Sequence, residues 1–308
     1  MNITGIGINS HPDRVRGDFN QLLLELEDFQ ALGYDCVELP AEAVLTILNG
    51  HLHPLAMKKV TALLNMFDLC YTVHAPRPLD VRDVDRLDMQ KDLFKACIQF
   101  TAEIGANIFV YHYDRKTDDP YIEETFEEIM RAMADFAAEY NVLIGVENIE
   151  IDAVANVVAF LETLNHDHVA MTFDFGHAYL SAARFGSDFL DSVQMAAPWI
   201  RHIHVTDNFG RFDETRLVSY ELYEQKRYAD RLLLGEGDLH LPIGWGNIAF
   251  DDAFALLQDY TGLFMLEYHY QRYKFLNQQI ITEARKYIDR ARGESPREIR
   301  KGGDAIGR

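Results

Sequence analysis

The stretch "MTFDFGHAYL", residues 171–180, ends an apolar, β-rich run with an aspartate and places a histidine three residues later. A carboxylate at the end of a buried strand costs free energy unless a partner neutralises it. Gly176 lies between the two, and we expect a glycine turn to fold His177 back beside Asp174. The same signature, an apolar run closed by a carboxylate or an imidazole, recurs along the chain.

Short apolar runs alternate with longer stretches of helical periodicity. The predicted strands are eight in number and span residues 3–9, 36–40, 71–76, 107–113, 142–148, 169–175, 200–206 and 262–268. Helical patterns lie between them, for example at 19–32, 89–103, 122–140, 154–164 and 250–260. This alternation predicts the α/β class and a single (β/α)8 TIM barrel, because eight such units fill about 250 residues. The competing doubly wound open sheet lacks the G-x-G-x-x-G motif that would open its first helix.

Two segments depart from the repeating pattern. Residues 208–237 form an unusually long connection between the seventh strand and the seventh helix, and such connections in compact domains are usually functional. Residues 292–308 are polar and rich in glycine and charge, which predicts a mobile tail. The barrel domain is therefore predicted to span residues 1–291.

The chain is acidic, with 29 Lys and Arg residues against 49 Asp and Glu residues and a formal net charge of -20. Repulsion from phosphodiester backbones argues against a nucleic-acid partner. The 3 cysteines form no C-x-x-C pair, which disfavours a disulfide framework or a thiolate zinc site and fits a reducing cytoplasm. No apolar run approaches the ~20 residues of a membrane helix, and the amino terminus lacks a signal-peptide pattern. We therefore expect a soluble, cytoplasmic chain with no membrane partner.

The residues that close the predicted strands are metal-ligand types. In a TIM barrel the catalytic groups lie where the strands end. Strands three to eight end in carboxylates or imidazoles, and the long connection closes with two more: His74, His112, Glu147, Asp174 with His177, His204, Glu267, and then Asp238 and His240. Imidazole and carboxylate without thiolate suit an open, catalytic site for zinc, manganese, cobalt or iron. Such a cation would also offset the cost of burying the carboxylates.

Other polar residues near the strand ends receive separate predictions. His202 points inward below His204, where a structural or supporting role is expected rather than metal ligation. Glu38 closes strand two and is expected to bind a substrate hydroxyl or to orient a ligand, with a structural hydrogen bond equally open. His269 shares the inward parity of Glu267 and is a candidate for substrate contact. Four histidines are predicted to be surface residues: His51, His53, His166 and His168.

This arrangement resembles the xylose-isomerase-like barrel superfamily, which includes sugar phosphate isomerases and epimerases and the apurinic DNA-repair endonucleases. The motifs that carry the resemblance cover almost the whole chain: "TVHAP", "VYHYD", "GVEN", "DFGH", "HVTDN", "DLHLPIGWGNI" and "MLEY". Similarity to the ketose epimerases implies four ligands for one ion, which are Glu147, Asp174, His204 and Glu267, and implies that the two glutamates also act as acid and base. Similarity to the repair endonucleases implies a trinuclear zinc centre, which adds His74, His112, His177, Asp238 and His240.

The preferred hypothesis is a divalent-metal-dependent isomerase or epimerase of a small sugar or polyol-derived carbonyl compound. One ion of Mn, Zn or Co is expected, and the full ligand set allows up to three. Glu147 and Glu267 would move the proton through an enediolate-like intermediate, and His177 would polarise the carbonyl oxygen. His74, His112 and Trp245 are further candidates for substrate contact. Trp245 and the tyrosines of residues 208–237 would cover the sugar and exclude water.

Two alternatives remain open at the level of sequence. One is a metal-dependent phosphoester hydrolase similar to the apurinic endonucleases, in which clustered ions activate a water molecule. The other is a sugar-binding protein without turnover, which the intact pair Glu147 and Glu267 disfavours. The sequence also leaves open which sugar binds, whether it carries a phosphate, and whether the chain forms a homo-oligomer.

Overall fold

Eight parallel strands of the computed structural model, which describes residues 1–293, close into a barrel. Each strand pairs with the next in chain order, and the last returns to pair with the first. The strands are β1 (Asn2–Asn9), β2 (Cys36–Pro40), β3 (Cys70–His74), β4 (Ile108–His112), β5 (Leu143–Glu147), β6 (Val169–Asp174), β7 (Ile200–Val205) and β8 (Thr261–Leu266). The predicted TIM barrel is confirmed.

The described residues also form thirteen α-helices. They are α1 (Pro12–Val15), α2 (Phe19–Leu32), α3 (Pro54–Leu64), α4 (Leu87–Glu103), α5 (Pro120–Glu139), α6 (Val154–Leu164), α7 (Phe175–Phe185), α8 (Phe189–Ala196), α9 (Thr215–Val218), α10 (Tyr220–Gln225), α11 (Tyr228–Leu234), α12 (Phe250–Ala255) and α13 (Asn277–Ala291). A two-stranded hairpin, Ile47–Leu48 with His51–Leu52, precedes α3. Aspartates start several helices, since Asp18, Asp119 and Asp188 each accept backbone N–H groups of the first turn.

Some boundaries differ from the sequence prediction. The helix predicted over 250–260 ends at Ala255. Leu257 and Tyr260, whose spacing suggested more helix, are instead buried in the turn that leads into β8, where the Tyr260 N–H donates to the Leu257 carbonyl at 3.0 Å. The long connection 208–237 contains three short helices, α9 to α11. The predicted tail, 292–308, lies from residue 294 onward outside the described residues.

The hydrophobic core lies between the barrel and its surrounding helices. Phe94 of α4 stacks on Tyr111 of β4 with ring centroids 5.0 Å apart. Phe254 of α12 meets Phe264 of β8 edge-on at 5.6 Å. All four side chains are buried, and burial of each contributes roughly 1.5–3 kcal/mol. This packing holds the strand ends in a fixed ring.

Strand register brings the predicted ligands to one level of the barrel. His112 pairs with Glu147 across β4 and β5, and Asp174 pairs with His204 across β6 and β7. Glu267 directly follows β8, whose Met265 pairs with His204. Parallel strands present all their carboxyl ends on the same face, so these side chains converge there. Within residues 1–293, none of the helices combines the length and apolar character that crossing a membrane requires.

Candidate active site

Four side chains from consecutive strands form a central group at the carboxyl end of the barrel. Glu147, Asp174, His204 and Glu267 each offer one ligand atom, and these atoms all lie within 4.8 Å of one another. The Nδ1 atom of His204 lies 3.2 Å from Glu147 Oε1 and 3.3 Å from Glu267 Oε2. All four residues are buried. This compact set of three carboxylates and one imidazole has the composition of a divalent-cation site.

Glu147 also belongs to a second group with two histidines. The Nε2 atoms of His74 and His112 lie 3.1 Å apart, and each is 3.3 Å from Glu147 Oε2. These side chains come from the ends of β3, β4 and β5, which are neighbours in the barrel. Glu147 therefore faces the central group with one carboxylate oxygen and the histidine pair with the other.

A third group combines His177 with two residues that close the long connection. Asp238 Oδ2 lies 3.3 Å from His177 Nε2 and 2.7 Å from His240 Nε2. The three residues offer ligand atoms within 4.8 Å of one another. All nine metal ligands predicted from the sequence thus meet in three adjoining groups.

Backbone carbonyls fix the orientation of three of the histidines. Nδ1 of His74 is 2.9 Å from the Ala75 carbonyl, that of His177 is 3.0 Å from the Asn148 carbonyl, and that of His240 is 2.8 Å from the Glu267 carbonyl. A ring whose Nδ1–H donates to a carbonyl presents the lone pair of Nε2. Nε2 of His74 faces Glu147, and Nε2 of His177 and of His240 faces Asp238.

His204 has the opposite orientation and a carboxylate behind it. Its Nε2 atom lies 3.0 Å from Oε1 of the fully buried Glu38. Glu38 also accepts a hydrogen bond from Thr72 at 2.9 Å and lies 3.2 Å from His202 Nε2. A carboxylate behind a histidine fixes its ring and raises its basicity as a ligand. These contacts place Glu38 behind His204 and His202 one layer below the candidate ligands.

Several carboxylate oxygens of the site have no hydrogen-bond donor. Glu147 Oε2, Asp174 Oδ2, Glu267 Oε2 and Asp238 Oδ1 are buried and accept no hydrogen bond from residues 1–293. An unsatisfied buried acceptor costs about 1–3 kcal/mol, and a charged one costs more. A divalent cation would satisfy them, so the residues present fit a bound metal ion.

The carboxylates and imidazoles shift one another's pKa values. Burial favours protonated carboxylates, but the charges of His204 and His112 outweigh it and hold the pKa of Glu147 well below its usual range. Burial disfavours the imidazolium, but Glu38, Glu267 and Glu147 outweigh it and hold the pKa of His204 well above its usual range. Burial raises the pKa of Asp174 to about 7. These shifts favour an ionised Glu147 and a protonated His204 beside a more weakly acidic Asp174.

The prediction of a glycine turn between Asp174 and His177 is wrong, because the chain is helical there. The helix α7 begins at Phe175, and the Asp174 side chain caps it by accepting the His177 N–H at 2.6 Å. Gly176 has an ordinary helical backbone, and a methyl group there would collide with Thr206 Oγ1. The glycine is thus required for close approach to the residue after β7. Asp174 and His177 still meet, with His177 Nδ1 3.6 Å from Asp174 Oδ1.

A cavity of about 450 Å³ opens above the ligand groups. Seven of the nine predicted ligands line it: His74, His112, Glu147, His177, Asp238, His240 and Glu267. The other lining residues include His269 and four residues of the long connection, Arg216, Tyr220, Tyr223 and Arg231. His269 packs against Tyr228 with centroids 4.8 Å apart, and burial, with the charge of His240, lowers its pKa to about 2. A neutral His269 can exchange hydrogen bonds with a polar ligand.

Two predicted substrate contacts do not line the cavity. Trp245 is 41% exposed and packs against Tyr273 at 5.1 Å, outside the lining residues. Glu38 lies beneath His204 rather than at the cavity wall. Of the four histidines predicted at the surface, His51 and His53 are exposed beside α3, and His166 and His168 are partly exposed before β6.

Sequence reasoning missed several residues that hold the site together. Asn148 donates its side-chain amide to the Asp174 carbonyl and accepts the Asp174 N–H, each at 3.0 Å. Asn9 donates to Glu267 Oε1 at 2.8 Å. Asp207 accepts the backbone N–H groups of Gly244, Gly246 and Ile248, which anchors the "PIGWGN" turn. Asn9 ends β1, so the strand-end rule applied to the first strand would have found it.

Comparison with known families is consistent with this geometry. The sequence profile described as Xylose isomerase-like TIM barrel matches residues 26–291. The chain belongs to this family. No curated protein sequence matches it.

Solved structures resemble the chain over nearly its whole length. A D-tagatose 3-epimerase-like protein is 18% identical with a TM-score of 0.68, over 94% of this chain and 99% of that one. L-ribulose 3-epimerase is 15% identical with a TM-score of 0.65, over 95% and 96%. A xylose isomerase-like TIM barrel protein from Mycobacterium smegmatis in complex with magnesium is 17% identical with a TM-score of 0.66, over 91% and 97%. At these identities the likeness shows a shared fold.

Proposed function

We propose that the protein is a divalent-metal-dependent epimerase or isomerase of a small polyhydroxylated carbonyl compound. The observation that carries the proposal is the placement of two glutamates in one ligand group. Glu147 from β5 and Glu267 after β8 lie 3.2 and 3.3 Å from the same His204 nitrogen, and both line the cavity. Two carboxylates on either side of a substrate carbon can remove a proton and return one to the opposite face.

In this proposal, each residue of the site has a separate role. Glu147, Asp174, His204 and Glu267 would hold the metal ion, which as a Lewis acid favours loss of a proton beside a carbonyl group. One of the two glutamates would take the proton from the carbon next to the carbonyl, and the other would return a proton to the enediolate-like intermediate. Burial disfavours the imidazolium, but Asp174 and Asp238 outweigh it and hold the pKa of His177 well above its usual range, so the protonated ring would donate its Nε2–H to the carbonyl oxygen. Tyr220 and Tyr223 would cover the substrate and exclude water.

The size of the site and its structural neighbours support a sugar-sized substrate. A volume of about 450 Å³ lies within the range of roughly 300–1,000 Å³ typical of small-molecule sites. Structures with the same fold include a D-tagatose 3-epimerase-like protein and L-ribulose 3-epimerase. We extend that class of reaction to this chain as part of the proposal.

The test is exchange of the substrate proton in heavy water. The Mn-loaded protein is incubated with a panel of ketoses and inositol-derived ketones, and deuterium incorporation beside the carbonyl is followed by NMR. Glu147→Gln and Glu267→Gln should each lower the exchange rate by about 100- to 10,000-fold, because a general acid or base is lost. Glu162→Gln, at an exposed position of α6, is the matched control and should exchange like the wild type. Near-normal exchange in either site variant would rule out the proposed acid and base roles.

A second candidate, a metal-dependent phosphoester hydrolase, is favoured by one specific observation. The ligand atoms form three groups, and the groups of His74 with His112 and of His177 with His240 extend beyond a one-ion site. Clustered ions can bind a phosphate and activate water. Elemental analysis with a phosphate-release assay separates the two: one ion per chain with proton exchange supports the epimerase, and three zinc ions with phosphate release support the hydrolase.

A further inference from the structure

Four arginines line the cavity, and three of them are already paired with carboxylates. Arg14 lies 2.7 Å from Glu25, Arg216 lies 2.7 Å from Glu150, and Arg77 lies 3.4 Å from Glu224. Each of these charges therefore has a partner within the protein. Arg231, the fourth, has no ion pair and donates no side-chain hydrogen bond to any of residues 1–293, and its Nε atom is buried.

Aromatic rings hold the Arg231 side chain at the cavity wall. Its guanidinium carbon lies 4.6 Å from the centroid of the Tyr223 ring and 6.0 Å from that of Tyr228. Tyr223 is itself buried, and its hydroxyl accepts the Asp238 N–H at 3.3 Å. The Tyr223 ring thus joins Arg231 to the side of the cavity that carries the ligand Asp238. A cation–π contact of this kind stabilises the charge but uses none of the guanidinium's hydrogen-bond donors.

We propose that the substrate of this site carries a terminal anionic group, a phosphate or a carboxylate, which Arg231 binds. This inference rests on the proposed function, because it names the substrate class of the same cavity. A planar guanidinium presents paired N–H donors that match two oxygens of a phosphate or carboxylate. A neutral sugar offers no such charged partner for the guanidinium, whose Nε atom is buried. The other three arginines of the cavity each pair with a carboxylate of the protein, so their charges need no ligand.

This assignment gives the long connection, residues 208–237, a function in substrate binding. It supplies Arg231 on α11 together with Tyr223 on α10, and both line the cavity. Lys226 joins two parts of the long connection, since its ammonium lies 2.6 Å from Asp213 Oδ2 and 2.8 Å from Thr215 Oγ1. The ligand groups would act on the carbonyl end of the substrate, and the segment would select the charged end.

The test measures binding of charged and neutral sugars to the full-length, Mn-loaded protein. Isothermal titration calorimetry is performed with D-fructose 6-phosphate, D-fructuronate and D-fructose, on the wild type and on Arg231→Gln. The variant should bind the anionic sugar roughly 10- to 100-fold more weakly, because charge-assisted hydrogen bonds are lost, while binding of D-fructose stays unchanged. Whichever anionic sugar loses more affinity in the variant identifies the group as phosphate or carboxylate.

Two further variants keep the test decisive. Arg227→Gln is the matched control, since this arginine precedes α11, its side chain is 80% exposed and it pairs with Asp230 outside the cavity. It should bind all three sugars like the wild type. Arg231→Met keeps the apolar stem against Tyr223 and replaces the Gln variant if that variant does not fold, as judged by circular dichroism. Equal losses for anionic and neutral sugars, or no loss, would overturn the assignment.

The outcomes also separate this inference from the proposed function. Proton exchange on a neutral ketose, with no selective loss in the Arg231 variants, would remove the anion site and leave the epimerase proposal standing. Selective loss of anionic-sugar binding, with no proton exchange on any carbonyl substrate, would keep the anion site and remove the epimerase proposal.

Discussion

At the scale of single residues, the site is built from candidate ligands whose orientation is fixed by neighbouring backbone and side-chain groups. Backbone carbonyls hold Nδ1 of His74 and His240, while Glu38 holds Nε2 of His204. Asn148 clamps the Asp174 backbone through two hydrogen bonds. Because these four side chains are already oriented, binding of a cation would cost them little conformational entropy.

The protonation state of the histidines predicts how metal affinity depends on pH. Burial lowers an imidazole pKa, but Glu147 outweighs it and raises the pKa of His74 to about 9, and Asp238 likewise raises the pKa of His240 to about 10. Below these values each ring carries a proton that a metal must displace. The affinity of those ligand groups should therefore rise with pH up to about 9–10, by roughly tenfold per pH unit for each proton released.

The measurement is a chelator-competition titration of zinc at pH 6.5, 7.5 and 8.5. Proton release can be counted independently by calorimetry in buffers of different ionisation enthalpy. An affinity that is flat over this range, or that falls as pH rises, would show that the histidines do not act as ligands.

At the scale of elements, the helix α7 and the strand β7 pack so closely that the site depends on a glycine. Gly176 lies in the first turn of α7, opposite Thr206, which directly follows β7. The same turn carries His177 and is capped by Asp174. The spacing between this helix and the barrel therefore sets the position of a predicted ligand.

Gly176→Ala should destabilise the protein by about 1–3 kcal/mol, because the new methyl group collides with Thr206 Oγ1. Thr206→Ala removes that atom, which has no hydrogen-bond partner in residues 1–293, and should cost little alone. The double variant should recover most of the loss, with a coupling of about 1 kcal/mol or more. Urea unfolding of the four proteins tests this, and strictly additive effects would show that the predicted contact is not the cause.

At the scale of the whole molecule, the barrel and the convergence of the candidate ligands could be predicted from the sequence because strand ends are local signals. Each apolar run closes with its own polar residue, as with His112 in "VYHYD" and Glu147 in "GVEN", and closure of the barrel brings those ends together. Residues that depend on tertiary placement could not be predicted. Trp245 sits in a glycine-rich turn near the ligands in sequence, yet it packs against Tyr273 away from the cavity. Arg231 carries no motif, and its exposure to the cavity follows from how α10 and α11 fold.

In the proposed site, four strands deliver their terminal side chains to one cation. Crystals soaked in manganese chloride, with anomalous diffraction recorded at the manganese edge, test it most directly. We expect a strong anomalous peak coordinated by Glu147, Asp174, His204 and Glu267, and loss of that peak in Asp174→Asn crystals. Manganese bound only at other positions, or these four side chains pointing to separate places, would contradict it.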